Sequence, residues 1–418
     1  MTYETYLHDT EEKLHARARS TVLDDVAMLD TIVIYGAGGF AFAYALAMAG
    51  MTTVLVEPDT HDQQRLADYL RASPHSDRLD QRLSITDRMS AFKAASICID
   101  ARQTNIHPVP TDDLRSAMPP DALLGVLTSC PVMGAHPDHA YDFALHLAQH
   151  LYGSADHTKL LEISAQKDSR AAALATKIAF QLGALPLVTS PSVGAIGAHL
   201  LAYYYAAADT IFLDGATPWD IDEAMTDYGF ALGPYESEDL FGLDLGVQRR
   251  LWHRQTYPRF RHVMLIDRML ELGKLGHKTG AGWYRYPGGG GKVDDPIVAD
   301  LAIEESFFAG TARSDYSHDT IRQRLLLSVI NAIFQQAETS SVAAEMIDIV
   351  SVLGLGFPRH HGGLISYADA MGADAIIDQI NRFAAEDAAA SRPAEWHISP
   401  LISMASDRKM SLLSVLSG

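Results

Sequence analysis

The pattern of hydrophobic and polar positions changes near residue 190. Before this point, short apolar runs of strand length alternate with helical segments, which predicts an open parallel sheet covered by helices on both faces. The predicted strands are Thr31–Tyr35, Thr52–Val56, Ala95–Ile99, Leu123–Thr128, Leu145–Tyr152 and Leu185–Val188.

Beyond Pro191 the pattern is helical. Gly194–Leu213 is a nearly all-apolar stretch, which predicts a long helix buried on most sides. Pro287–Gly291 is rich in glycine and predicts a linker to a second helical block that begins near Ser314. The two blocks share a faint repeat: Ile221-Asp222, Gly229-Phe230 and Glu238-Asp239-Leu240 recur as Ile347-Asp348, Gly356-Phe357 and Tyr367-Ala368-Asp369. This similarity indicates a duplicated domain.

These patterns predict an α/β Rossmann-type domain followed by all-α domains. The expected boundaries are an N-terminal helical extension over 1–30, the Rossmann domain over 31–190, a first helical domain over 191–287, a linker over 288–313 and a second helical repeat over 314–418. The extension carries charges throughout, so we expect a solvent-facing helix from Glu4 to Asp25.

A glycine-rich turn follows the first predicted strand. Residues 36–41 fit the pattern G-x-G-x-x-G/A, with the sequence Gly36-Ala37-Gly38-Gly39-Phe40-Ala41. Gly36 permits a tight turn and Gly38 lets a pyrophosphate approach the backbone, while Ala41 is small enough for close packing between helix and strand. The start of the following helix offers N–H groups to phosphates. The turn therefore predicts a dinucleotide site.

Glu57 lies at the end of the second predicted strand, 21 residues after Gly36. At this place an acidic residue accepts hydrogen bonds from the ribose 2′-hydroxyl, and its charge would repel a 2′-phosphate. The sequence therefore predicts NAD as the cofactor rather than NADP.

Charge and composition exclude several classes of partner. The 418 residues carry a formal net charge of -19, which argues against nucleic acid and anionic membrane surfaces. The longest apolar stretch, Phe40–Gly50, is too short to span a bilayer. The two cysteines, Cys98 and Cys130, form no metal-ligand pattern, so we expect no metal and a reducing cytoplasm.

Several further segments resemble the 3-hydroxyacyl-CoA dehydrogenase family. Besides the glycine turn, the resemblance rests on His150 to Ile163, Ala216 to Asp222, Gly233-Pro234, Asp239 to Asp244, Gly276 to Tyr284 and Gly356 to Gly363. It spans about Thr31 to Phe383 and is strongest with the long members of fatty-acid metabolism, without their hydratase half. It implies C-terminal helical repeats like those of 6-phosphogluconate dehydrogenase.

The resemblance also implies a reaction. Family members transfer hydride between C3 of a 3-hydroxyacyl thioester and NAD, with a histidine as general base and a glutamate that orients it. His150 and Glu162 have the family's spacing of twelve residues. Asp100 stands where the family has an acidic residue that contacts the cofactor.

The substrate positions depart from the family pattern. Ser129 and Pro131 lie where the family has Asn-Thr-Ser, so Pro131 replaces the serine that contacts substrate. Ala198-His199 stand in place of the family's Asn-Arg, so the substrate-binding asparagine is missing. We therefore expect an altered substrate site, with weak contacts at most from Ser129, Ala198 and His199.

Three functions remain open from the sequence. The first is a dehydrogenase acting on a thioester of CoA or another carrier; the second is a family member with changed chemistry on a carrier-bound substrate; the third is a non-catalytic NAD-binding protein. The second helical block is expected to fold back on the first and cover the face through which shorter members dimerise. A monomer or weak homodimer is thus expected.

Overall fold

The computed structural model describes residues 2–21, 31–102, 111–128, 141–147, 159–258, 260–338, 342–390, 392 and 396–417. The chain folds into two compact units. Glu11–Ala195 contains the large sheet and is called the sheet unit, whereas Met1–Thr10 and Ile196–Gly418 together form the helical unit. No helix in the described ranges is long and apolar enough to cross a membrane.

The sheet unit contains eight strands within its described residues. In chain order they are β1 (Ile32–Tyr35), β2 (Thr53–Val56), β3 (Leu83–Thr86), β4 (Ile97–Asp100), β5 (Leu123–Leu127), β6 (Phe143–Leu147), β7 (Lys159–Ala165) and β8 (Ala184–Thr189). Their spatial order is β3-β2-β1-β4-β5-β6-β7-β8. All neighbouring strands are parallel except β6 and β7. The predicted Rossmann-type fold class is confirmed.

Helices cover both faces of this sheet. The α-helices in the described part of this unit are the C-terminal part of α1 (Tyr3–Thr21), α2 (Phe40–Met48), α3 (Thr60–Ala72), α4 (Ser76–Leu79), α5 (Asp112–Ala117) and α6 (Arg170–Gln181). On one face, Ile32 and Ile34 of β1 are buried with apolar residues of α2 and α6. On the opposite face, Val33 and Cys98 pack with Phe92 and Leu114. Burial on both faces explains why the strands are apolar runs rather than alternating ones.

The N-terminal helix does not face solvent on all sides, contrary to the prediction. Leu7, Leu14 and Ala18 of α1 are buried. Their spacing of seven and four residues places them along one stripe of the helix, which the many charged residues between them obscure. Within the helical unit, the hydroxyl of Tyr6 also donates a hydrogen bond to Asp348 at 3.2 Å.

The helical unit contains twelve further α-helices within its described residues. They are α7 (Ile196–Asp214), α8 (Pro218–Tyr228), α9 (Pro234–Phe241), α10 (Leu243–Thr256), α11 (Leu265–Glu271), α12 (Pro296–Phe308), α13 (His318–Ala337), α14 (Ala344–Val350), α15 (Leu364–Met371), α16 (Ala373–Ala389), α17 (Pro400–Arg408) and α18 (Leu412–Ser417). Helix α7 corresponds to the predicted apolar helix and is buried along most of its length. Helix α13 of the second block packs on α7 and α8, as the fold-back prediction requires.

Equivalent hydrogen bonds reveal the duplication within the helical unit. The carboxylate of Asp222 accepts the backbone N–H groups of Tyr235 and Glu236 at the start of α9. In the second block, Asp348 accepts those of Ile365 and Ser366 at the start of α15. Burial raises the pKa of both aspartates to about 6. The repeat seen in the sequence therefore preserves a buried helix cap.

The segment 288–313, predicted as a linker, is ordered structure instead. Its glycines form the turn of a small hairpin that joins strands β9 (Tyr284–Arg285) and β10 (Val293–Asp294). Gly288 and Gly289 have φ of 63° and 72°, which favours glycine. Helix α12 then follows and is tied to the first block, because Ser306 donates a hydrogen bond to the Leu213 carbonyl at 2.7 Å.

Candidate functional site

The glycine turn lies between the end of β1 and the start of α2. Gly36 has φ of 101°, and its N–H donates to the carbonyl of Val56 at 2.9 Å. A Cβ added at Gly39 would lie 2.3 Å from Ile34 and 2.7 Å from Ala101, so only glycine allows this close approach. The turn therefore has the tight, open-backbone form that the dinucleotide pattern predicts.

The role of Ala41 differs from the prediction. Ala41 is exposed on α2, and Gly39 instead makes the close contact between the turn and the sheet. Gly38 is exposed, while Phe40 is half-buried with its ring edge-to-face against Tyr69 at 5.5 Å. The exposed backbone at Gly38 is where a phosphate group could approach the N–H groups that begin the helix.

Glu57 lies beside this turn, directly after β2. One carboxylate oxygen accepts the N–H of Ala37 at 2.5 Å, and the other accepts that of Asp59 at 2.9 Å. The side chain is buried, so these hydrogen bonds fix its position against the turn. Carboxylate oxygens retain further lone pairs for a ribose hydroxyl.

Asp100, which the resemblance places at the cofactor, has its carboxylate bound by two neighbouring side chains. Its carboxylate accepts hydrogen bonds from Nε and Nη2 of Arg102 at 2.9 and 2.6 Å, and from the hydroxyl of Tyr141 at 3.0 Å. Only 3% of Asp100 is exposed. The side chain that reaches solvent at the end of β4 is that of Arg102, 23% of which is exposed, and the sequence analysis did not single it out.

A histidine and a glutamate lie side by side on β6 and β7. In the antiparallel register His146 is directly opposite Glu162, so their side chains project from the same face with Cβ atoms about 5 Å apart. Both residues are almost fully buried, at 3% and 2% exposure. An imidazole next to a buried carboxylate is suited to proton transfer.

The strand register brings this pair to the same carboxyl edge of the sheet as the glycine turn, but on the face of Val33 and Cys98 rather than on the face that α2 covers. Tyr35 pairs with Asp100, Asp100 with Val126, and Val126 with Ala144. His146 lies two residues farther along β6, toward the carboxyl edge, and faces the same side because strand side chains alternate. The Cα atom of His146 lies two strands across and two residues along from the Cα atom of Asp100, which corresponds to about 12 Å.

None of the remaining predicted site residues belongs to the described part of the sheet unit. His150 and Ser129 lie outside the described residues, so the pairing of His150 with Glu162 stays a prediction. Ala198 and His199 lie on α7 in the helical unit and are buried there. The His199 ring packs edge-to-face on Trp252 at 5.0 Å.

The described residues contain no group of three or more His, Cys, Asp or Glu side chains that could hold a metal ion. Cys98 is buried in the core, and burial raises the pKa of its thiol well above the usual range. It is therefore a neutral core residue.

The fold and site define a Rossmann-type protein with a duplicated helical region. Residues 194–286 match the family model for the C-terminal domain of 3-hydroxyacyl-CoA dehydrogenase. Among curated relatives, the peroxisomal bifunctional enzyme of Cavia porcellus is 29% identical over 254 residues, covering 57% of this chain and 35% of the relative. Fatty acid oxidation complex subunit alpha of Shewanella sp. (strain ANA-3) is 26% identical over 247 residues, covering 57% and 34%. The chain thus spans about a third of these relatives' length.

Solved structures show the same fold. 3-Hydroxybutyryl-CoA dehydrogenase from Escherichia coli K12 superposes with a TM-score of 0.66 at 18% identity, covering 91% of this chain and 99% of that one. The dehydrogenase part of multifunctional enzyme 1 from C. elegans gives a TM-score of 0.57 at 19% identity, covering 91% and 90%. The resemblance to the 3-hydroxyacyl-CoA dehydrogenase family seen in the sequence is confirmed by the family model and the curated relatives, and the solved structures share the fold.

Proposed function

We propose that this chain is an NAD-dependent oxidoreductase that transfers hydride between C3 of a 3-hydroxyacyl thioester and the nicotinamide ring. The proposal rests on the arrangement of four residue groups at one edge of the sheet. The glycine turn with Glu57 and the pair of His146 and Glu162 lie on the carboxyl edge, where ligands of open α/β sheets bind.

The residues of the turn fit a dinucleotide. Gly39 has no room for a side chain, the positive φ of Gly36 disfavours one there, and Gly38 presents exposed backbone at the start of α2. Glu57 would hold the adenosine ribose, and the N–H groups near Phe40 would face the diphosphate. When bound, NAD supplies the nicotinamide ring that accepts the hydride from C3.

His146, assisted by Glu162, would transfer the proton of the 3-hydroxyl group. In the oxidising direction, His146 would accept the proton of the 3-hydroxyl group at a ring nitrogen as hydride leaves C3. Glu162 on the neighbouring strand would stabilise the imidazolium that forms and hold the ring in place. In the reducing direction the same imidazolium returns the proton to the carbonyl oxygen at C3.

A screen of 3-ketoacyl thioesters with NADH tests the proposal. Thioesters of CoA and of pantetheine, from four carbons upward, would be compared by the loss of NADH absorbance. We expect turnover of a longer or carrier-bound substrate and poor turnover of acetoacetyl-CoA, since Ala198 and Pro131 offer no side-chain hydrogen bonds. If NADH binds but no 3-ketoacyl thioester is reduced, the chain is an NAD-binding protein without this activity.

Cofactor preference is predicted from Glu57. NADH should bind at least tenfold more tightly than NADPH, roughly 1.4 kcal/mol or more, because a 2′-phosphate would meet a buried carboxylate. Calorimetric titration measures both affinities. Glu57→Gln should reduce the difference between the NADH and NADPH affinities. The control variant Asp62→Asn, on the exposed face of α3, should leave this difference unchanged. Equal affinities in the wild-type chain would refute the cofactor assignment.

A further inference from the structure

The end of β4 carries a cation beside the dinucleotide turn. Arg102 follows the strand by two residues, and β1 and β4 are the neighbours between which the strand order reverses. This reversal opens the crevice in which open α/β sheets bind ligands. Arg102 therefore stands at the mouth of the crevice, on the side of the turn opposite to Glu57.

Close backbone contacts fix Arg102 against the turn. A Cβ built on Gly36 would lie 3.0 Å from the Arg102 Cα and 3.1 Å from its Cγ. The N–H of the preceding residue, Ala101, donates to the carbonyl of Tyr35 at 2.8 Å. The side chain thus starts directly beside the backbone of the glycine turn.

The guanidinium group is held along one edge. Its Nε and Nη2 atoms donate to the two carboxylate oxygens of Asp100, and its plane lies over the ring of Tyr35, 4.7 Å from the centroid. Although burial lowers the pKa of Arg102, the hydrogen bonds and charge of Asp100 raise it above its usual range. The group is charged and its orientation is fixed.

The other edge of the guanidinium remains available. Nη1 makes no hydrogen bond to any residue in the described part of the chain, and 23% of the Arg102 side chain is exposed, against 3% for Asp100. A guanidinium carries five donors in a planar fork, so an edge not used by Asp100 can still bind two oxygens of a phosphate. What faces the crevice is therefore a preorganised cation.

We propose that Arg102, held by Asp100 and Tyr35, binds the diphosphate of the dinucleotide cofactor and supplies the positive charge that the glycine turn itself lacks. This proposal rests on the proposed function and adds a phosphate contact to it. A diphosphate suits the position because its oxygens would lie above the turn, between the Glu57 side and the β4 side. An arginine fixed in advance loses little side-chain entropy when it binds.

The test compares the affinities of the 418-residue chain for three ligands. NADH affinity is measured by fluorescence titration, and ADP-ribose and adenosine are measured by their displacement of NADH. Arg102→Gln should weaken NADH and ADP-ribose roughly 10- to 100-fold and leave adenosine unchanged, because only the first two carry the diphosphate. Arg102→Lys should give an intermediate loss, since it keeps the charge but not the fork.

Matched variants separate binding from folding. Arg170→Gln removes an exposed arginine that donates to the carbonyl of Asp121, before β5 at the opposite sheet edge, and should leave all three affinities unchanged. Arg102→Gln leaves the buried carboxylate of Asp100 without its cation. The double variant Asp100→Asn/Arg102→Gln is therefore measured as well, and the melting temperature of each variant shows whether it is folded.

The outcomes are distinguishable. In one outcome, the wild-type chain binds NADH, and the folded variants bind NADH and ADP-ribose at least as tightly as wild type does. The proposed contact between Arg102 and the diphosphate is then refuted, while the proposal that the chain binds NAD stands. If wild-type chain binds neither NADH nor ADP-ribose, the proposed function fails and the role of Arg102 falls with it. The salt dependence of NADH binding should also be weaker in Arg102→Gln, because one charge contact is lost.

Discussion

Replacing His146 with glutamine should lower kcat for 3-ketoacyl reduction by roughly 10²- to 10⁴-fold, the usual contribution of a general acid–base. Glutamine keeps a polar side chain of similar reach but cannot donate and recover a proton. Glu162→Gln should also reduce kcat, because the imidazolium loses the carboxylate on the neighbouring strand. NADH affinity should stay within about twofold of wild type in both variants, since the glycine turn and Glu57 are untouched. Steady-state kinetics and NADH titration measure the two effects separately.

His75→Gln is the matched control, because His75 is an exposed histidine of the same unit. It should retain wild-type kcat. His150→Gln tests the base predicted from the family spacing. If His150→Gln abolishes turnover while His146→Gln does not, the base is His150, and the assignment from the strand register is wrong.

Replacing Arg250 with methionine should destabilise the protein by roughly 3–5 kcal/mol, the usual cost of removing one partner of a buried ion pair. Its guanidinium donates to Asp209 at 2.5 and 2.9 Å and to Glu238 at 2.6 Å. All three residues are buried in the helical unit, so the substitution leaves two carboxylates without this cation. Urea unfolding of the full chain measures the change.

Arg254→Met is the control for this prediction. Arg254 lies on the same helix, but its guanidinium is partly exposed and 3.9 Å from Asp267, so its removal should cost less than about 1 kcal/mol. Adding Asp209→Asn to Arg250→Met should recover part of the loss by removing one unpaired charge. A loss below about 1 kcal/mol in Arg250→Met would mean that the buried ion pairs contribute little.

The strands that the sequence predicts are those with a continuous apolar run. β1, β2, β4 and β5 are such runs, buried on both faces of the sheet. β3 and β7 were missed. β3 contains an exposed Ser84 near the sheet edge, and β7 carries Glu162 at its centre, which breaks the apolar run. A carboxylate in a buried strand interrupts the apolar run from which such strands are predicted.

The candidate site was predictable where its determinants are local. The glycine turn and Glu57 follow from the order strand, turn, helix and strand within 26 residues. The neighbour of Glu162 depends on β6 and β7 being antiparallel, and fifteen residues separate His146 from Glu162 along the chain. Arg102 was not singled out in the sequence, because its contact with Gly36 joins the ends of two neighbouring strands that lie far apart along the chain.

The predicted linker over 288–313 is a case in which the sequence indicated flexibility and the structure has an ordered turn. The glycines after Pro287 predicted a flexible connection, yet they form the turn of a hairpin because two of them adopt positive φ. Glycine permits flexibility and tight turns alike, and only the pairing of Tyr284–Arg285 with Val293–Asp294 distinguishes them.

The most direct test of the central claim is the transfer of deuterium from NADH labelled at C4 of the nicotinamide to a 3-ketoacyl thioester. We expect a 3-hydroxyacyl product with one deuterium at C3, detected by mass spectrometry. We also expect Glu162→Gln to form this product much more slowly at unchanged NADH affinity. Tight NADH binding with no deuterated 3-hydroxyacyl product from any thioester of the panel would contradict the proposed function.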